Sequence, residues 1–276
     1  MTKLLSANLL RLRKSHLFWG TVVLSFGFGA FMCVTRFLEH LNYSFEVSLS
    51  SVFFGYAMVV GVVMAAFIPL FFGTEYSDGA IRNKLTVGHS RIAVYFANLI
   101  TSLGVAVVCF AAYLLACIVV GVPLIGGLDL PAPLTAAALL GSLLMTAAYC
   151  AISTFITMNC SKKATSAVVC LLGVFLLLIA AIMTLSMLDA PEFIQGYVMS
   201  IDGQIVDTKP EPNPAYLTGM KREVYQFFYD LMPTGQGIQY SNVNFTNPSR
   251  LMGLAAVIFA AFTGAGAALF QRKDLK

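Results

Sequence analysis

Six stretches of this chain run for about 20 residues or more with almost no charge: 17–37, 51–72, 92–120, 134–158, 166–188 and 251–270. Arg36, at the end of the first, is the one acidic or basic side chain within them. A bilayer core about 30 Å thick is crossed by about 20 apolar residues in a helix. Inside it a backbone must satisfy its own hydrogen bonds, which a helix does. The pattern therefore predicts an all-α polytopic membrane protein with six transmembrane helices. Composition agrees: 58% of the residues are hydrophobic and 11% charged, where a soluble domain carries about a quarter charged.

The loops set the orientation. With the amino terminus in the cytoplasm, the inner side collects twelve Lys and Arg residues (3, 11, 13, 14, 82, 84, 91, 162, 163, 272, 273 and 276) and the outer side five (36, 209, 221, 222 and 250). That bias satisfies the positive-inside rule and predicts a multi-pass protein of the cell membrane with both termini cytoplasmic. The first apolar stretch is too long, and too far from a small-residue cleavage site, for a removable signal peptide. Before it, residues 1–16 place Leu4, Leu5, Leu9 and Leu12 on one stripe beside basic residues. This reads as an amphipathic helix in the lipid interface, or as a basic leader that only sets topology.

The six cysteines lie in the spans or at a helix end, in no metal-ligand or disulfide-scaffold spacing. No Gly-Lys pair exists to build a phosphate loop, and no HExxH or GxSxG occurs. No cofactor or metal is expected on this chain, no nucleic acid as a partner, and no enzymatic activity of its own. The spans lack the ionisable groups that coupled carriers keep in the bilayer, so an energy source in another polypeptide is expected. Outside the membrane, residues 189–250 form the long segment between helices five and six. "YVMSIDGQIVD" alternates about Asp202-Gly203 as a hairpin does. Tyr216, Met220, Val224, Phe227, Phe228 and Leu231 follow at helical spacing, ending before Pro233. A structured cap or a partly membrane-dipping helix fits. In the last span Ala256, Ala260, Gly264 and Ala268 recur every four residues, a stripe suited to close helix packing.

Between the second and third spans stands a polar island, "EYSDGAIRNKLTVGHSR", within residues 73–91. Ser77 or Asp78 can cap a short helix over 80–87, and Gly88 can end it in a left-handed turn. Ile81 and Leu85 share one face, open to the flanking spans or to a partner groove, while Arg82, Asn83 and Thr86 project elsewhere. Glu75 is placed to pair with Arg82 or Arg91 as a surface ion pair of at most about 1 kcal/mol. The plainer alternative is an inner loop whose Arg82, Lys84 and Arg91 merely enforce topology.

This stretch resembles the first cytoplasmic loop of ABC-2-type transporter permeases, where an "EY..GTIRNKL..G.SR" pattern is common. Glu75, Tyr76, Gly79, Ile81, Arg82, Asn83, Lys84, Leu85, Gly88, Ser90 and Arg91 match, and Ala80 replaces the usual Thr. "NPAYLTGMKREVYQFFYDLMPTGQ", from Asn213 to Gln236, is similar to a second block found in a subset of these permeases. The resemblance implies two permease subunits, as a homodimer or a heterodimer, with two ATP-binding subunits that carry the ATP and Mg. It implies a coupling helix between the second and third spans, with Ile81, Arg82, Lys84 and Leu85 on the ATPase and Glu75 bracing the loop. Lys162 and Lys163 would make a lesser inner contact. Export of an amphiphilic or hydrophobic peptide, drug or lipid follows by analogy. The rival reading is a non-transporting immunity or interaction protein that protects against a membrane-active peptide. An intramembrane enzyme would need convergent polar groups within the spans, which hold mainly isolated Ser, Thr and Asn.

Overall fold

The computed structural model describes residues 1–43, 47–194, 197–199, 205–207, 209–245 and 247–273. Six helices are long and apolar enough to cross a membrane: His16–Asn42, Ser50–Ser77, Arg91–Ile125, Ala132–Asn159, Lys163–Leu188 and Pro248–Arg272. Each contains most or all of one apolar stretch in the sequence. In chain order the helices are α1 (Thr2–Arg13), α2 (His16–Tyr43), α3 (Ser50–Phe53), α4 (Tyr56–Phe72), α5 (Thr74–Ser77), α6 (Ala80–Thr86) and α7 (Arg91–Ala116). A π-helical turn, Cys117–Gly121, leads into α8 (Val122–Ile125), followed by α9 (Ala132–Asn159) and α10 (Lys163–Leu188). The last three are α11 (Gly219–Leu231), α12 (Pro233–Ser241) and α13 (Pro248–Arg272).

Local chemistry sets several helix starts. The Ser90 hydroxyl accepts from the Ala93 amide at 3.2 Å to open α7, and the Asn247 side chain accepts from the Arg250 amide at 3.1 Å to open α13. The core between α4 and α7 is aromatic: Tyr56, Phe110 and Tyr113 pack ring to ring, and the Tyr113 hydroxyl donates to the Val52 carbonyl at 2.6 Å. The small-residue stripe of the last span faces the other way. Ala256, Ala260, Gly264 and Ala268 are exposed, while Leu251, Ala255, Gly266 and Phe270 are the residues α13 buries. Gly266 is there because the Tyr95 ring and hydroxyl occupy the space of a Cβ.

α1 lies against α7 with Leu4, Asn8 and Leu12 buried. The expected stripe is rotated: Leu9 stays 55% exposed, and Asn8 takes the inward position.

At the far end from the chain termini, two short antiparallel pairings join Phe193–Ile194 to Glu211–Pro212 and Tyr197–Met199 to Ile205–Asp207. The turn expected at Asp202-Gly203 lies outside the described residues. α11 then leads back into the bundle, where the Thr234 hydroxyl donates to the Leu177 carbonyl at 2.8 Å. Leu177 lies eleven residues before α10 ends at Leu188, about 16 Å of helix at 1.5 Å per residue. All nine residues of α12 are buried. So 189–250 is not wholly an outer cap: α12, in its second half, is inserted among α4, α9 and α10, while α11 is mostly exposed with Tyr229 and Asp230 buried. Close approach explains glycines on both sides of this contact: a Cβ on Gly237 of α12 would meet the Ala57 carbonyl, and the Tyr240 ring occupies the place of a Cβ on Gly141 of α9.

The buried polar groups of α11 and α12 are paired largely with one another. Asp230 accepts from Gln226 at 2.8 Å and from Gln239 at 3.1 Å, and Arg250 stands 3.2 Å away. α12 ends in two bonds, Val243 N–H to Tyr240 O at 3.2 Å and Asn244 N–H to Gln239 O at 3.0 Å, the pattern of a Schellman motif. Val243 holds the left-handed position at φ 52°, where glycine is usual; its side chain packs on the core in return.

Candidate functional site

The loop between the second and third spans builds a buried polar centre at the terminal end of the bundle. α5 ends at Ser77, and the chain turns through Gly79 at φ 67° into α6. A side chain would be strained at that φ, so the glycine is required by the turn. Neither Ser77 nor Asp78 caps α6, contrary to expectation. Gly79 is the cap residue, and Ser77 instead donates to the Thr74 carbonyl at 3.0 Å. At the other end Gly88, at φ 97°, closes the helix: its N–H reaches Leu85 O at 2.9 Å and that of His89 reaches Lys84 O at 3.2 Å.

Glu75 is fully buried, so the expected surface pair with Arg82 or Arg91 is replaced by an internal one. Its Oε1 lies 2.6 Å from Arg11 Nη1 and 2.7 Å from Lys84 Nζ. Its Oε2 accepts from Asn98 Nδ2 at 3.2 Å. Asn98 accepts in turn from Asn8 at 2.9 Å, and Asn8 also reaches Thr101 at 3.2 Å and accepts from Lys84 at 3.3 Å. Arg11 donates to the Phe71 carbonyl at 2.8 Å and lies 4.0 Å from the Phe71 ring centroid. One carboxylate thus ties α1, α5, α6 and α7 together. A charge taken out of water is tolerated only when paired and hydrogen-bonded on all sides, and the cluster meets that condition.

The helical turn decides what α6 shows to the outside. Lys84 faces Glu75, and Ile81, 2% exposed, packs with Leu4, Val94, Tyr95, Met158 and Phe270. Leu85 lies against the same group. The apolar pair that could have entered a partner groove therefore belongs to this chain's own core. Arg82, Asn83 and Thr86 are exposed, and Val87 is 78% exposed.

Two further residues of the motif fasten the last span. The Tyr76 hydroxyl donates to the Met158 carbonyl and accepts from Lys273 Nζ at 3.2 Å. Lys273 also sits 4.4 Å from the Tyr76 ring centroid. Burial holds its ammonium below the usual lysine value, with Cys160 opposing. Arg91 donates to the carbonyls of Gln271, at 3.0 Å, and Lys273. Lys162 is exposed just before α10, and Lys163, in the first turn of α10, packs on Gly73. Asn8, Arg11, Asn98 and Thr101 were not among the expected site residues. The available signal was a polar residue in an apolar stripe: Asn8 between Leu4 and Leu12, Asn98 within the third span.

Six long apolar helices and an internally braced loop at their terminal end define the class: an all-α, multi-pass membrane protein. The family model for ABC-2 family transporter proteins matches residues 4–177, well over half of the 276-residue chain, and the chain belongs to that family. The match takes in most of α1, the buried centre and all of α6; α11 and α12 fall beyond it. No curated protein matches the chain.

Proposed function

We propose that this ABC transporter permease subunit is part of an exporter, driven by ATP-binding subunits that dock on the exposed face of α6. The carrying observation is the division of labour in that helix. Lys84, Ile81 and Leu85 lock it to the bundle through Glu75 and the apolar core, while Arg82 and Asn83 are left free toward solvent. A seven-residue helix is marginal alone; clamped on three sides, it can pass a push on its outer face to α1 and α7. In this reading both termini and α6 are cytoplasmic, the permease pairs with a second permease subunit in the cell membrane, and ATP and Mg bind only the partner ATPase. Glu75, Tyr76 and Arg91 hold the socket, Gly79 and Gly88 shape it, and Arg82 and Asn83 meet the motor. Lys162 and Lys163 lie on the same side as a secondary contact. The apolar character of the spans favours an amphiphilic or hydrophobic cargo, such as a peptide, drug or lipid.

The test is co-purification from membranes with the cognate ATP-binding subunit. Arg82→Glu is expected to insert normally and to lose the ATPase together with transport-coupled hydrolysis. Normal recovery of the ATPase and normal transport in this variant would reject α6 as the docking element.

A further inference from the structure

A groove of about 740 Å³ opens between α1, the start of α2 and α7. Its walls are Leu5, Leu9 and Leu12 of α1, Phe18 of α2, and Gly104 and Val108 of α7. Gly104 leaves it open, since a Cβ added there would meet nothing within 4 Å. From Thr101, also in its lining, to Val108 the α7 wall rises seven residues, about 10 Å of apolar channel along the bilayer-crossing direction. Arg13 stands in the lining as its one charged side chain. It is exposed, as is the neighbouring Lys14, and neither makes a salt bridge among the described residues.

We propose that this groove is a binding site for an anionic phospholipid, with an acyl chain along α7 and the phosphate at Arg13. An apolar trough on a membrane protein with a guanidinium in its lining that makes no salt bridge among the described residues complements an amphiphile with an anionic head. Arginine suits phosphate because its planar fork can donate two parallel hydrogen bonds. The site adjoins the buried polar centre: Thr101, which lines the groove, also accepts the bond from Asn8. A seated lipid therefore holds α1 against α7 beside the Glu75 cluster, which makes the position of α1 sensitive to lipid charge.

The chain carries its own reporter. Trp19, the single tryptophan, donates to the Arg13 carbonyl at 3.0 Å, is 54% exposed, and stacks edge-on with Phe18 at 5.3 Å. The full chain is reconstituted, without any partner, into phosphatidylcholine vesicles holding a small fraction of brominated phosphatidylglycerol or brominated phosphatidylcholine. Bromine on the acyl chain quenches tryptophan at close range. The brominated anionic lipid is expected to occupy the site with about a fivefold preference, the size one arginine supplies near an anionic headgroup. Arg13→Gln is expected to remove that preference. Gly104→Leu, which fills the groove from its open side, should lower site quenching by both lipids, and Gly104→Ala should retain it. Equal quenching by the two lipids in the unaltered protein would overturn the proposal, and so would a preference that survives both Arg13→Gln and Gly104→Leu. Because no ATPase is present, failure here is separate from failure of the docking reading.

Discussion

Two carboxylates are buried at opposite ends of this bundle, and they are held in opposite ways. Glu75 is fully buried and draws its partners from afar: Arg11, 64 residues earlier, with Lys84 and Asn98 from two other helices. Asp230, 5% exposed, is held mostly by α11 and α12, through Gln226 one turn away and Gln239 across the bend. Its one bond to another span is Arg250 at 3.2 Å, and that arginine is 41% exposed. Glu75 is thus a junction between elements, whereas Asp230 is an internal staple of one element. Force applied to α6 has a charged path into α1 and α7. Asp230 ties α11 to α12 and reaches α13 only through that partly wetted pair.

The contrast predicts a ranking. Glu75→Gln leaves Arg11 and Lys84 facing each other without a counter-charge, and breaking such a buried pair costs about 3–5 kcal/mol. The thermal midpoint of the purified chain should fall more than for any other change considered, and α1 should become accessible to protease. If Glu75→Gln unfolds at the unaltered temperature, the junction contributes nothing. Asp230→Ala leaves two amides short of an acceptor, at about 1–3 kcal/mol, with the loss confined to protection of α11 and α12 in hydrogen exchange. Spread of that loss to α1 would erase the distinction between junction and staple. Arg250→Gln removes only the exposed pair, worth about 1 kcal/mol or less, and should shift the midpoint little. Arg82→Glu sits at the bottom of the stability series, within about 0.5 kcal/mol for a free surface position, while abolishing recovery of the ATPase.

The spans were legible because lipid imposes a length and a charge rule that 20-residue windows display directly. The turn at Gly88 was legible because a left-handed helix end favours glycine at that spacing. Partners of Glu75 were not, since the depth at which α1 lies on α7 is fixed by packing, and nothing local to Arg11 says that it meets residue 75. The direction of Ile81 and Leu85 was open for the same reason: a two-residue apolar face shows that something covers it, not what. α12 escaped notice because "PTGQGIQYS" has the proline, glycines and amides of a surface turn. Here the proline starts the helix, the glycines allow backbone contact, and two glutamine amides donate to Asp230.

Docking of an ATP-binding subunit on the outward face of α6 would bring that subunit within crosslinking reach of Asn83. A photo-crosslinking residue placed at Asn83, which is exposed beside Arg82, tests it most directly in native membranes. Met220, 80% exposed at the far end of the bundle, serves as the control position. An adduct at the summed mass of permease and ATPase is expected from position 83 and none from position 220. Absence of the adduct at 83, or equal adducts at both positions, would contradict docking on α6.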